Sequence, residues 1–120
     1  MSELIQTEQA LLGIMIDDGN IARNVLDSNG FELFTIERHK IIAEGICEAL
    51  NDGCVDLIIL TDILKQSGKL DKVGGEKYLS KCFGLVSSNS HWRWYLNRLL
   101  KYKYKKEQLA ESLKFKDNIG

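Results

Sequence analysis

The sequence contains no proline and no long apolar run, and each absence excludes a class of structure. Without proline, no position is forced out of a helix by a fixed φ and a missing N–H. No apolar segment approaches the roughly 18 residues that a transmembrane helix needs. Residues 1–9 are polar and acidic, unlike a signal peptide. We therefore expect a cytoplasmic protein that makes no membrane contact.

Cysteine and histidine are too few, and too widely spaced, for the usual metal sites. The three cysteines, Cys47, Cys54 and Cys82, have no CxxC spacing, and the two histidines are His39 and His91. A zinc site or a disulfide framework needs pairs at defined short separations. We therefore expect reduced, buried or half-buried thiols and no metal. The two histidines offer little basis for proton transfer.

The motifs of common catalytic sites are also missing. The sequence has no GxxxxGK[ST] phosphate loop and no GxSxG, HExxH or EF-hand spacing. Gly74-Gly75 lacks the lysine and hydroxyl of a nucleotide site, and it fits a tight turn before a helix. Acidic pairs such as Asp17-Asp18 fit a helix end and a cap rather than acid–base catalysis. We therefore predict no catalytic residue, no cofactor and no enzymatic activity for this chain.

What the sequence does contain is typical of one globular domain with two oppositely charged ends. Hydrophobic residues make up 44% and charged residues 28%. Residues 1–86 carry 8 Lys/Arg against 14 Asp/Glu, a net charge of −6, whereas residues 87–120 carry 8 against 3, a net charge of +5. Opposite charges at two ends suit a protein that binds other proteins.

Apolar residues recur at helical spacing, and turn residues divide them into segments. The first segment predicts an amphipathic helix with one buried stripe that includes Leu4, Glu8 and Leu11. Thr35 is a plausible N-cap for a later helix. Residues 55–60 could form a strand, but Asp56 as an N-cap and the helical spacing of the following leucines favour a helix.

These segments predict an all-α fold: a small orthogonal bundle of about six helices within a single domain, residues 1–120. Residues 1–87 form a globular head, and residues 88–120 form a long helix and tail. On that long helix we expect a buried face that also includes Leu109 and Leu113.

The long helix also carries more aromatic residues than one buried face can use. Trp92, Tyr95 and Leu99 share a face and are expected to pack, which leaves Trp94 and other aromatics exposed. An ordinary solvated surface and direct nucleic-acid contact through the interleaved Lys and Arg residues stay open as alternatives. We favour a protein interface, with these candidate residues: Trp92, Trp94, Tyr95, Arg98, Tyr102, Tyr104 and Lys105.

The order and spacing of several motifs are distinctive. They are Glu8-Gln9-Ala10-Leu11-Leu12-Gly13, then Phe34 and His39-Lys40-Ile41-Ile42, then Gly53-x-Val55-Asp56-Leu57, Leu60-x-x-x-Leu64, Gly68-x-Leu70 and Val73-Gly74-Gly75-x-x-Tyr78-Leu79. Over nearly the whole chain, this order resembles the N-terminal domain of DnaB-type bacterial replicative helicases. The chain departs from that pattern at Ser87-Ser88-Asn89-Ser90, where the family usually has a Pro-Ser-Ala-Ala-like cap, and at Trp92, Trp94 and the Tyr/Lys run.

The resemblance implies a non-catalytic domain for interaction and oligomerisation, whose long helix is the first half of a helical hairpin. It implies a weak dimer for this chain and a hexamer for the full-length helicase. It also implies docking of the primase, possibly binding of a helicase loader, and DNA contact only through the parent protein and its ATPase motor. A stand-alone phage or mobile-element regulator that mimics the domain and binds helicase or primase is the alternative.

Overall fold

A computed structural model describes the backbone of residues 3–119 and the side chains of residues 3–107. Residues 3–119 form seven α-helices and one 3₁₀ helix, and no β-strand is present among them. The elements are α1 Glu3–Asp17, α2 Gly19–Asn29, the 3₁₀ helix Phe31–Leu33, α3 Glu37–Asn51, α4 Leu57–Gln66, α5 Leu70–Val73, α6 Gly75–Phe83 and α7 Trp92–Ile119.

The all-α prediction is confirmed, and the differences in detail are small. The sequence-based prediction of about six helices omitted α5, a single turn between α4 and α6. The strand alternative for residues 55–60 is wrong, because Asp56 caps α4 by accepting a hydrogen bond from Ile59 N at 2.7 Å. Gly74 and Gly75 form the predicted tight turn, with φ of 103° and 76°. The predicted core positions Leu109 and Leu113 lie outside the described side chains.

Helix α1 runs through the middle of the bundle. Its residues 7–16 are all buried, because α2, α3, α6 and α7 pack around it. The predicted single buried stripe was therefore too narrow. Gly13 allows the closest of these approaches, since a Cβ there would lie 2.0 Å from the carbonyl oxygen of Cys82 on α6. This central helix positions both α3 and α7.

The start of α3 differs from its sequence-based prediction. Thr35 is not the N-cap; Ile36 occupies that position, and its side chain makes no capping bond. The Thr35 hydroxyl instead donates to the carboxylate of Glu8 on α1, at 2.7 Å. The same carboxylate accepts a hydrogen bond from the Thr35 backbone N–H at 3.1 Å, so α1 holds Thr35 one residue before the N-cap position. The N-cap prediction for Thr35 was wrong for this reason.

The three cysteines are free thiols in three different environments. Cys82 is buried and Cys47 is half-buried, as predicted, but Cys54 is exposed. Cys54 lies in the turn between α3 and α4, where its neighbours Gly53 and Asp52 are also exposed. The prediction of a buried or half-buried thiol at this position was therefore wrong.

Candidate protein interface

One face of α7 packs against the head. Leu99 is fully buried against the core, and Trp92, Tyr95 and Leu96 are half-buried beside it. Helix α7 makes these contacts with α1 and with the 3₁₀ helix. The predicted packing face is confirmed, and the remaining circumference of the helix is left without a covering element in the described part of the chain.

Large aromatic side chains lie on that uncovered circumference. Trp94 is 57% exposed, Tyr104 is 61% exposed and Tyr102 is 37% exposed. Exposed aromatics of this size recur at the centres of protein interfaces, because covering them removes a large area from water at little cost in conformational entropy. Trp94 and Tyr104 are the strongest anchor candidates on this criterion.

The indole of Trp94 is held in place although it is exposed. The Tyr95 ring meets it edge-on, with centroids 5.4 Å apart, and the Arg98 guanidinium lies 5.2 Å from its centroid. Arg98 is fixed in turn by Glu3 of α1, whose carboxylate oxygen lies 3.3 Å from its guanidinium nitrogen. Trp94 therefore presents a pre-ordered surface, which lowers the entropic cost of covering it.

A groove runs beside Trp94, between α1 and α7. Its volume is about 490 Å³. Apolar side chains line much of it, namely Ala10, Leu85, Val86 and Trp94, and the Glu3–Arg98 pair lines it as well. Leu85 is itself 44% exposed. The groove adds concave apolar area next to the exposed indole, which is the arrangement that an anchoring side chain of a partner would fill.

Further along α7, the exposed face becomes cationic. Arg98, Lys101, Tyr102 and Lys105 follow one another at helical spacing and line a shared depression of about 200 Å³. The predicted interface residues thus divide into two groups. Trp92 and Tyr95 serve mainly to pack α7 on the head, whereas Trp94, Arg98, Tyr102, Tyr104 and Lys105 remain accessible to a partner. Their role in binding stays a prediction.

A buried polar network that sequence reasoning missed lies on the opposite side of α1. Glu8 is fully buried, and its carboxylate accepts hydrogen bonds from Thr35 N at 3.1 Å, Thr35 Oγ1 at 2.7 Å and His39 Nδ1 at 2.8 Å. The other ring nitrogen of His39 lies 2.6 Å from the Tyr78 hydroxyl. Gln9 Nε2 donates to that same hydroxyl at 3.0 Å.

One arrangement of protons gives every polar atom of this network a partner. Because Gln9 donates to the Tyr78 oxygen, the Tyr78 hydroxyl hydrogen is available to His39 Nε2. Burial raises the pKa of the Tyr78 phenol above its ordinary value of 10.0, against the hydrogen bond from Gln9, so this hydroxyl keeps its proton at neutral pH. In the proton arrangement that we propose, the His39 ring donates from Nδ1 to Glu8 and accepts at Nε2 from Tyr78. The network joins α1, α3 and α6, and every buried side-chain polar atom in the described part of the chain has a partner.

Comparison with known proteins assigns the chain to a family. The model of the DnaB-like helicase N-terminal domain matches residues 1–101. The chain belongs to the DnaB-like helicase N-terminal domain family. It is 29% identical over 96 residues to the replicative DNA helicase DnaB of Leifsonia xyli subsp. xyli (strain CTCB07). That match covers 79% of this chain and 21% of the relative, so the chain spans about a fifth of the length of this curated relative.

A solved structure supports the fold. The N-terminal domain of DnaB helicase from Mycobacterium tuberculosis superposes with a TM-score of 0.82 at 19% identity, covering 92% of this chain and 80% of that one. The residues that suggested the DnaB-like family in the sequence can now be located. Glu8, His39 and Tyr78 come from three separate motifs and meet in the buried network, and Gly13 lies where α1 touches α6. These DnaB-like motifs therefore specify how the helices of the head pack together.

The described part of this DnaB-like domain has neither a cluster of metal ligands nor a membrane-spanning helix. No group of three or more His, Cys, Asp or Glu side chains in the described part of the chain is arranged to hold a metal ion. None of the helices, over the residues that the structure describes, combines the length and apolar character that crossing a membrane requires.

Proposed function

We propose that this chain is a non-catalytic interaction and oligomerisation domain of a replicative DNA helicase. In this role it supports assembly of the helicase ring and docking of the primase during DNA replication. The observation that carries the proposal is the exposed, pre-ordered Trp94 on α7, beside an apolar groove, in a chain of the DnaB-like family. A helix that served only its own head would need the buried face alone.

The exposed face of α7 is the proposed surface for self-association and partner binding, with Trp94, Tyr102 and Tyr104 contributing most of the contact area. For this 120-residue chain alone we expect weak pairing, seen as a concentration-dependent mixture of monomer and dimer, and no stable hexamer. The hexamer would belong to the full-length helicase. The primase, and possibly a helicase loader, would bind the assembled domains in the cytoplasm, and DNA would be contacted only through the parent protein.

Sedimentation velocity over a range of concentrations tests the proposal. Wild-type chain is compared with the double variant Trp94→Ala/Tyr102→Ala, and Ile58→Ala serves as the control. Ile58 is an 80% exposed apolar residue on α4, so its removal tests whether any exposed apolar side chain has the same effect. Loss of two interface anchors is expected to raise the dissociation constant by about tenfold or more, whereas the control leaves it unchanged. Purely monomeric behaviour of all three proteins would contradict the proposal.

A further inference from the structure

The exposed face of α7 carries a row of positive charge. Arg98, Lys101 and Lys105, here called the cationic stripe, lie at i, i+3 and i+7, within about 60° of one another around the helix. Lys101 and Lys105 are exposed, and neither forms an ion pair among the described side chains. Among the described side chains, a carboxylate oxygen of Glu3 lies 3.3 Å from the Arg98 guanidinium, and Glu3 pairs with neither lysine. Two neighbouring ammonium groups therefore remain uncompensated.

The exposed face of α3 carries a matching row of negative charge. Glu37, Glu44 and Glu48, here called the acidic stripe, lie at i, i+7 and i+11 and are all exposed. Within residues 3–107 none of them forms an ion pair. The two cations of the same helix form no ion pair with this stripe in the described part of the chain. Arg38 lies 4.7 Å from the centroid of an aromatic ring on α6, and Lys40 is half-buried in the cavity between the head and α7.

One pair of residues in each stripe has the same spacing along its helix. Glu44 and Glu48 are four residues apart, as are Lys101 and Lys105, so each pair is separated by about 6 Å along its helix axis. Two helices laid side by side, in either direction, bring both acid–base pairs together at once. The net charges of −6 for residues 1–86 and +5 for residues 87–120 favour the same approach at longer range.

The same observations count against a nucleic acid on this face. A phosphate backbone that followed the cationic stripe would approach Glu3, whose side chain is 71% exposed beside Arg98, and would be repelled by the acidic head. A second copy of the chain offers instead two carboxylates, Glu44 and Glu48, at the spacing of the two unpaired lysines. No ion pair joins the two stripes within one chain in the described side chains, so both are available for contact between copies.

We propose that the cationic stripe of α7 in one copy docks on the acidic stripe of α3 in a second copy. This inference rests on the self-association proposed above and names the two surfaces that form it. Each copy has one stripe of each kind, so two copies can make the contact twice, with the α7 of each copy on the α3 of the other. This reciprocal contact closes a dimer, which is the species expected for the chain alone.

Charge reversal with complementation tests this pairing. Lys101→Glu/Lys105→Glu makes both stripes acidic, and Glu44→Lys/Glu48→Lys makes both basic. By sedimentation velocity, each variant alone should self-associate about tenfold more weakly than wild type, or worse, because like charges then face each other. An equimolar mixture of the two should regain association, since the acidic α7 of one variant then meets the basic α3 of the other.

A matched control separates this specific effect from a general change in charge. Lys77→Glu/Lys81→Glu reverses an equally exposed lysine pair at i, i+4 on α6 and should leave association as in wild type. If wild-type chain associates but the mixture of complementary variants does not regain association, the stripe pairing is overturned while self-association through the aromatics stands. If wild-type chain stays monomeric at every concentration, both proposals fail. Association that weakens steeply with added salt would support the pairing.

Discussion

The buried network gives the sharpest test of how this head is held together. Glu8→Gln preserves the shape of the side chain but replaces one carboxylate oxygen with an amide nitrogen. At the Oε2 position that nitrogen would face the Thr35 backbone N–H, which is donor against donor. At the Oε1 position it would face His39 Nδ1–H. His39 could then move its proton to Nε2, but the Tyr78 hydroxyl would lose its acceptor.

Either arrangement of the amide loses a hydrogen bond to a charged group and leaves a buried donor unpaired. The first loss costs about 1.5–3 kcal/mol and the second about 1–3 kcal/mol. We therefore expect Glu8→Gln to lower the free energy of unfolding by about 3–5 kcal/mol, a large share of the roughly 5–15 kcal/mol typical of a domain. Urea unfolding followed by circular dichroism measures this, with an unchanged m value as the sign that the transition stays two-state.

The matched control is the same substitution on the same helix, at Glu3. Its side chain is 71% exposed and pairs with Arg98 in solvent, so Glu3→Gln should change stability by less than about 0.5 kcal/mol. Tyr78→Phe should cost about 1–2 kcal/mol, because it leaves His39 Nε2 and Gln9 without their shared partner.

Coupling between the two ends of the network is the more demanding part of this test. Once Tyr78 is Phe, moving the His39 proton to Nε2 no longer removes an acceptor from a hydroxyl. The double variant Glu8→Gln/Tyr78→Phe should therefore cost at least about 0.5 kcal/mol less than the sum of the single variants. Additive costs, or a cost for Glu8→Gln below about 1 kcal/mol, would refute the proton arrangement proposed for this network.

Three further predictions concern the packing of the head. Gly13→Ala should lower the free energy of unfolding in urea by about 2–3 kcal/mol or more, since its Cβ would lie 2.0 Å from a backbone oxygen of α6. In the control Gly84→Ala the nearest atom, a backbone oxygen, lies 3.4 Å from the new Cβ, so stability should change by under about 0.5 kcal/mol. Equal costs for the two variants would contradict this packing. Leu60→Ala should cost about 2–5 kcal/mol because the side chain is fully buried, and a cost under about 0.5 kcal/mol would place α4 in solvent instead. Burial raises the pKa of the Cys82 thiol to about 11. A disulfide reagent at pH 8 should therefore label exposed Cys54 rapidly and Cys82 only on unfolding. Equal labelling rates of the two thiols in the native protein would contradict this.

Local signals predicted the boundaries of the helices well. Asp56 caps α4, and Gly74 and Gly75 turn the chain into α6, as expected from residue types whose preferences depend on a few neighbouring atoms. Leu60 and Leu64 are buried, as helical spacing predicts. These features could be found in the sequence because their causes lie within about one helical turn of the residue itself.

Long-range partners were beyond the reach of the same reasoning. Glu8 was placed on a buried stripe without a reason for a carboxylate there, because its donors come from residues 27 and 31 positions away. The Thr35 prediction failed for the same cause, since a local capping rule takes no account of the Glu8 carboxylate, which binds both the N–H and the hydroxyl of Thr35 from another helix. The available signal was the position of Glu8 itself: a carboxylate on an apolar helix face needs a buried donor, and His39 was one of only two histidines.

The residues that suggest the family and the residues proposed to bind partners lie in different parts of the structure, for a physical reason. Glu8, His39 and Tyr78 are constrained by several interior neighbours at once, so replacing one leaves the others unpaired. Exposed Trp94 and Lys105 have no such interior constraint, and their replacement alters only what an approaching surface meets. Family membership therefore predicts the fold of the head closely. The choice of partner has to be derived from the charge and shape of the α3 and α7 faces of this particular chain. The charge-reversal and complementation experiment on those two faces is therefore more informative about partner choice than any substitution in the core.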